Sequence, residues 1–211
     1  MEIEIYADVV CPWCYMGKRR LERALESYDG DVTIHYRPFQ LDPRPVDRPA
    51  PLIDAMAARF GGHERVRQMF AHTAGIAAGD GLELHSDRAV VANSFEAHRL
   101  VWFADTQGRA GEILDALYRA YFTDSVDIGS RDALVRVAEG IGLDARAFLD
   151  SDAGAAEVSA ALAEARDLGV TSVPMFVFAG KYAVAGAQEP ATLREVLAEV
   201  DRREAAGATT T

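Results

Sequence analysis

The feature that most constrains this chain is Cys11-Pro12-Trp13-Cys14, because these are its only two cysteines and two residues separate them. That is the spacing of a redox dithiol. The stretch leading in, Glu2-Ile3-Glu4-Ile5-Tyr6-Ala7, alternates polar and apolar residues as a half-buried strand does. Beyond Cys14, Gly17, Leu21, Ala24, Leu25 and Tyr28 fall on one face of a helix, and Lys18, Arg19, Arg20, Glu22 and Arg23 fall mostly on the other. The dithiol therefore sits where a strand turns into a helix.

That position has chemical consequences. Pro12 suits the first helical turn, where its missing N–H costs no hydrogen bond. Cys11 is then the N-cap, and the unpaired N–H groups and positive end of the helix dipole point at its sulfur. Both favour thiolate, the nucleophilic form, so Cys11 is expected to attack. Cys14, one turn further and facing the core, is expected to resolve the mixed disulfide that Cys11 forms with a substrate. Trp13 supplies bulk and an indole N–H but no charge, and Asp8 would repel a thiolate if close. Both point to a less oxidising disulfide than in the strongly oxidising members of the dithiol class.

A metal site is the competing reading of Cys-x-x-Cys. Zinc usually takes four ligands, no second Cys-x-x-Cys is present, and the five histidines include no pair three to five residues apart. We expect no metal and no bound organic cofactor.

Composition narrows the function from outside. A chain of 211 residues with 49 % apolar and 26 % charged residues fits a globular protein, and a net charge of −11 argues against binding nucleic acid or an anionic membrane. No window approaches 18 consecutive apolar residues, and Met1 runs straight into the first strand. The expectation is a cytoplasmic protein whose dithiol rests reduced.

Along the chain, Asp31 to Phe39 reads as a second strand, parallel to the first because a helix joins them. Gln40 to Pro51 contains four prolines and reads as an ordered linker. From Leu52 to about Asp150 the pattern is helical throughout: 52–60, 63–78, 88–106, 109–122, 130–140 and 144–149, with glycine-rich breaks. A helix over 152–168 follows, then an apolar strand over 172–178, the turn Ala179-Gly180-Lys181, and a partner strand from Tyr182 to Val184. A last helix starts at Pro190 and buries Leu193, Val196, Leu197 and Val200, and 205–211 reads as a frayed tail. The fold class is α/β: a thioredoxin fold with a large all-helical insertion in its middle. Residues 1–42 and 152–211 form the discontinuous thioredoxin-like domain, and 43–151 the inserted helical domain.

Asp8-Val9-Val10-Cys11-Pro12-Trp13-Cys14-Tyr15-Met16-Gly17, Pro38-Phe39-Gln40-Leu41, Ala97-His98-Arg99-Leu100, Gly169-Val170-Thr171-Ser172-Val173-Pro174 and Gly186-Ala187-Gln188 give the chain a family resemblance. It resembles the FrnE-type branch of the DsbA-like thioredoxin superfamily, which neighbours the kappa-class glutathione transferases and the 2-hydroxychromene-2-carboxylate isomerases. The resemblance implies that Pro174 is the cis-proline facing Cys11, with the Val173 backbone open to pair with an extended peptide or with glutathione. It also implies a substrate surface made of Pro12, Trp13, Val173, Pro174, Ala187 and Gln188. Ala187 and Gln188 would receive the γ-glutamyl end of glutathione, or Gln188 would cap the last helix. Asn93 and His98, placed on an inserted helix, offer cleft contacts or hydrogen-bonded interior positions. Asp8 offers a proton route for Cys14 or a turn carboxylate. Trp102, Phe103, Tyr118, Tyr121 and Phe122 read as core.

The chain departs from the glutathione transferases and isomerases, which usually keep a serine at the position of Cys11 and lack the second thiol. It also lacks the additional C-terminal cysteine pair of some FrnE-type proteins, which excludes an internal relay between two dithiols. The expected function is thiol-disulfide oxidoreductase, with a disulfide-containing protein or a small thiol as substrate. The alternative is a glutathione-dependent isomerase or transferase acting on a small aromatic molecule, with glutathione as co-substrate.

Overall fold

A computed structural model describes residues 1–208. Strands β1 (Glu2–Ala7) and β2 (Thr33–Pro38) flank helix α1 (Pro12–Leu25). Strands β3 (Met175–Phe178) and β4 (Tyr182–Ala185) and helix α9 (Pro190–Ala208) close the chain. The sheet order is β2-β1-β3-β4, with β1 and β2 parallel and β3 antiparallel to both β1 and β4. The last helix continues through 205–208, where the sequence suggested fraying; 209–211 lie outside the described residues.

As a central strand, β1 is more buried than its alternation suggests. Ile3 and Ile5 join Leu21 and Ala24 of α1, Phe176 and Phe178 of β3, and Leu193 and Leu197 of α9 in the main core. Tyr6 is buried on the other face with Ala165, beside Met175 and Val177, so both faces of the strand are covered. Ala165 belongs to α8 (Ala155–Asp167), the helix that spans this second face.

Between the two strand pairs lie α2 (Leu52–Phe60), α3 (His63–Gly79), α4 (Phe95–Asp105), α5 (Ala110–Phe122), α6 (Arg131–Gly140) and α7 (Arg146–Leu149). The main core continues into them through Leu100, Ile113, Leu117, Leu134 and Leu149. Two sequence expectations need correction. Residues 88–94 are not helical: Val90 bridges Pro51, while the Ala89 carbonyl accepts from Leu52 N–H and the Val91 N–H donates to Ala50, so this piece pairs with the end of the proline-rich linker. Asn93 consequently precedes α4 instead of lying on it.

The polar face of α1 is the second correction. Lys18 and Arg20 are buried, because α5 and the end of α3 bring acids against them. Lys18 Nζ pairs with Glu22 and lies 2.5 Å from Asp115 Oδ1. Arg20 Nε lies 2.7 Å from Asp80 Oδ2.

Candidate active site

Cys11 is the N-cap of α1 with extended backbone (φ −97°, ψ 112°), and Pro12 occupies the first helical position. Cys14 and Tyr15 N–H both donate to the Cys11 carbonyl, at 3.0 and 3.3 Å, closing the first turn. The two thiols are free and buried, and Trp13 between them is 38 % exposed. Burial pushes the Cys14 thiol well above its ordinary value, and a hydrogen bond to the Cys11 sulfur and the nearby Cys11 and Asp8 charges add to this. Cys14 is therefore held as a thiol at neutral pH.

Facing the dithiol is the Val173-Pro174 peptide bond, which is cis. The Val173 carbonyl oxygen lies 3.9 Å from Cys11 Sγ. Helix α1 meets this corner at Gly17, where a Cβ would come within 2.9 Å of Pro174 Cγ and 3.2 Å of Phe176 Cζ. Only a glycine allows that approach without displacing the proline, a constraint that the sequence reading, which used Gly17 only as a face residue, did not register.

The remaining candidates divide between this cluster and its supports. Gly186 N–H donates to the Pro174 carbonyl at 2.8 Å, so the Ala187-Gln188 segment begins beside the corner. The Ala187 carbonyl accepts from Arg20 Nη1 at 2.8 Å, and the Gln188 side chain donates to Ala185 O at 2.7 Å. Gln188 thus closes the turn behind β4 through its side-chain amide N–H. Asn93 holds the linker: Nδ2 donates to the carbonyls of Pro43 and Arg44, while Oδ1 accepts from Gln40 Nε2 and Phe95 N–H.

Asp8 is fully buried below the dithiol turn. Its Oδ2 accepts from Leu41 N–H at 2.7 Å and Oδ1 from Val10 N–H at 3.4 Å, so it serves as a turn carboxylate and tethers the linker. His98 Nε2 lies 2.9 Å from the Phe39 carbonyl and 3.4 Å from Asp8 Oδ1. Tyr118, assigned to the core by its spacing, is indeed buried, but its hydroxyl reaches the Asp8 carbonyl at 3.5 Å and its ring stacks on Tyr15 with centroids 4.9 Å apart. The floor of the site is therefore polar, and α5 supplies part of it.

A family model described as the DSBA-like thioredoxin domain matches residues 2–198. The chain belongs to that family. A probable DsbA oxidoreductase from Streptomyces coelicolor is 36 % identical, with a TM-score of 0.88 over 94 % of this chain and 89 % of that one. At lower identity the DSBA-like fold extends to 2-hydroxychromene-2-carboxylate isomerase (19 %, TM-score 0.70, 97 % and 98 % covered) and to the cytosolic disulfide reductase DsbM of Pseudomonas aeruginosa, solved with GSH (20 %, TM-score 0.65, 96 % and 100 % covered). The architecture is thus the α/β thioredoxin fold of DSBA-like proteins, with helices α2 to α7 carried between its two strand pairs. Among the described residues no helix is long and apolar enough to cross a membrane.

Proposed function

We propose that the protein is a thiol-disulfide oxidoreductase whose exchange is carried by Cys11 and Cys14. The observation that bears most of the weight is the asymmetry of the dithiol. One sulfur sits at a helix N-terminus beside the Val173 carbonyl, and the other lies one turn inside, buried and held protonated.

In the reducing direction, Cys11 thiolate attacks one sulfur of a substrate disulfide. The substrate S–S bond breaks, and its second sulfur leaves as a thiolate. Cys14 then loses its proton and attacks Cys11 Sγ, which expels the first substrate thiolate and leaves the Cys11–Cys14 disulfide. Substrate lies against Trp13 and along Val173-Pro174, with the main chain of Val173 as its hydrogen-bonding edge. The substrate class is a disulfide-bearing protein or a small thiol disulfide, with glutathione as co-substrate, and the site of action is the cytoplasm. The fold shared with a cytosolic reductase solved with GSH supports both assignments.

The test is disulfide reduction by single-cysteine variants. Cys11→Ser is expected to lose turnover, and Cys14→Ser to accumulate a mixed disulfide at Cys11 visible by intact mass. Full turnover by Cys11→Ser would refute the proposal. Turnover of a small aromatic substrate that needs glutathione and survives loss of Cys14 would favour an isomerase or transferase instead.

A further inference from the structure

Away from the substrate surface, a cavity of about 770 Å³ opens between α1, α5 and α6. Tyr15 of α1, Leu82, Ala116 of α5, Val126 and Val137 of α6 give it an apolar lining. None of Pro12, Trp13, Val173, Pro174, Ala187 or Gln188 contributes to it. Its volume falls within the range of about 300–1,000 Å³ typical of small-molecule sites.

The rim carries four carboxylates and three guanidinium groups, and their close pairs leave the cations in excess. Lys18, which does not line the cavity, pairs with Glu22 and lies 2.5 Å from Asp115 Oδ1. Arg109, also outside the lining, donates to both oxygens of Glu112 at 2.8 Å. Three of the carboxylates are thus engaged by cations that do not face the cavity. The fourth, Asp124, comes no nearer to Arg119 than 3.8 Å.

The guanidinium groups are held far more loosely. Arg19 reaches Glu22 only at 3.8 Å, where Lys18 already holds that carboxylate. Arg136 forms no ion pair among the described residues, and Asp132, which feels its charge, is bonded to Arg146 at 2.7 Å. The charges of Arg19 and Arg119 both act on the Tyr15 phenol, so two of the three cations converge on one wall. An apolar cavity ringed by loosely paired guanidinium groups, in a chain of net charge −11, suits an anion, because the guanidinium fork matches acidic oxygens in pairs.

We propose that this cavity is a binding site, separate from the dithiol, for an organic anion with an apolar body. The body lies against Tyr15, Ala116 and Val137, and Arg119, Arg136 and Arg19 hold the acid group. Tyr15 is also the link to the dithiol turn: its N–H donates to the Cys11 carbonyl at 3.3 Å, and its ring stacks on Tyr118. The inference stands independently of exchange at Cys11.

The test compares two fluorescent probes that share one apolar body, 1-anilinonaphthalene-8-sulfonate and the uncharged N-phenyl-1-naphthylamine. The sulfonate is expected to bind one site, at least about tenfold more tightly than the uncharged probe, and to weaken as salt is added. Arg119→Gln/Arg136→Gln is expected to weaken the sulfonate about five- to tenfold and to leave the uncharged probe unaffected. Ala116→Phe, which fills the cavity, is expected to abolish binding of both. Asp124→Asn relieves Arg119 of its distant partner and is expected to tighten sulfonate binding about two- to fivefold, a gain that a damaged fold would not produce. Cys11→Ser and Trp13→Ala are expected to keep the sulfonate affinity within about twofold of wild type.

No binding of the sulfonate, equal affinity for the two probes, or an affinity indifferent to the arginines and to Asp124→Asn would overturn the inference. So would loss of binding in Trp13→Ala, which would place the probe at the substrate surface. Absence of disulfide exchange by the wild type would overturn the function proposed above and leave this site standing.

Discussion

Cys11 Sγ lies 3.9 Å from the carbonyl oxygen of Val173, a residue 162 positions later in the chain. A strand paired with the main chain of Val173 would lie beside the Cys11 sulfur.

The closeness of α1 to that corner depends on Gly17. Gly17→Val adds side-chain atoms where a Cβ already falls 2.9 Å from Pro174 Cγ. The ring of a buried proline cannot swing away as the end of a flexible side chain would. Overpacking of this kind costs about 1–3 kcal/mol, and the expected result is a lower urea midpoint together with slower capture of substrate at Cys11. Unchanged stability and capture would contradict the packing argument.

Burial of Cys14 gives the reduced protein a distinctive pH dependence. The folded thiol is raised well above its ordinary value, first by burial and then by its hydrogen bond to Cys11, whereas a cysteine in the unfolded chain ionises near about pH 8.5. Above that pH the unfolded state releases a proton that the folded state keeps. The contribution is fully present below about pH 8.5 and is lost as pH rises toward the folded value, by at most about 1.4 kcal/mol per pH unit. Reduced wild type is expected to lose more stability between neutral and alkaline pH than Cys14→Ala, as read from urea midpoints under thiol-free reducing conditions.

Arg20 and Asp80 form a buried ion pair that also reaches the Ala187 carbonyl. Asp80 is also 3.3 Å from Arg23 and Arg20 2.8 Å from Glu189, so Arg20→Met or Asp80→Asn alone is expected to cost less than the about 3–5 kcal/mol of a fully stranded buried charge. The double variant Arg20→Met/Asp80→Asn is expected to be less destabilised than the sum of the singles. A double-mutant cycle with no coupling would show that the pair contributes nothing as a pair.

Asn93 fixes the linker from one side chain through two main-chain carbonyls and Gln40. Asn93→Ala removes these and is expected to destabilise by a few kcal/mol at most. Its signature is local: faster amide exchange and proteolysis at residues 40–45, with the sheet unaffected.

Much of the fold is legible in local patterns. The dithiol at a strand-helix turn, the glycine-marked helix breaks and the Ala179-Gly180-Lys181 hairpin all follow from near-neighbour spacing, and helix 52–60 has the bounds its periodicity implies. The misreadings share a different cause. Lys18 and Arg20 look solvent-facing because helical amphipathicity reports one apolar stripe, and nothing near them announces partners 97 and 60 residues away. Residues 88–94 have a helical hydrophobic rhythm, but the adjacent β-branched Val90-Val91 favours the extended path that pairs with Pro51, and that pair was the available signal. Asp8 and His98 could each be singled out from sequence, whereas their 3.4 Å approach depends on where the insertion lands.

The central claim is that Cys11 and Cys14 cycle between dithiol and disulfide, and the most direct measurement is the reduction potential of the pair. It is obtained by equilibrating the protein with glutathione redox buffers and reading the oxidised fraction by mass. The account predicts an intramolecular disulfide with a potential nearer the thioredoxin value of about −270 mV than the DsbA value of about −120 mV. A protein that forms no Cys11–Cys14 bond and stops at a glutathione adduct on Cys11 would contradict it.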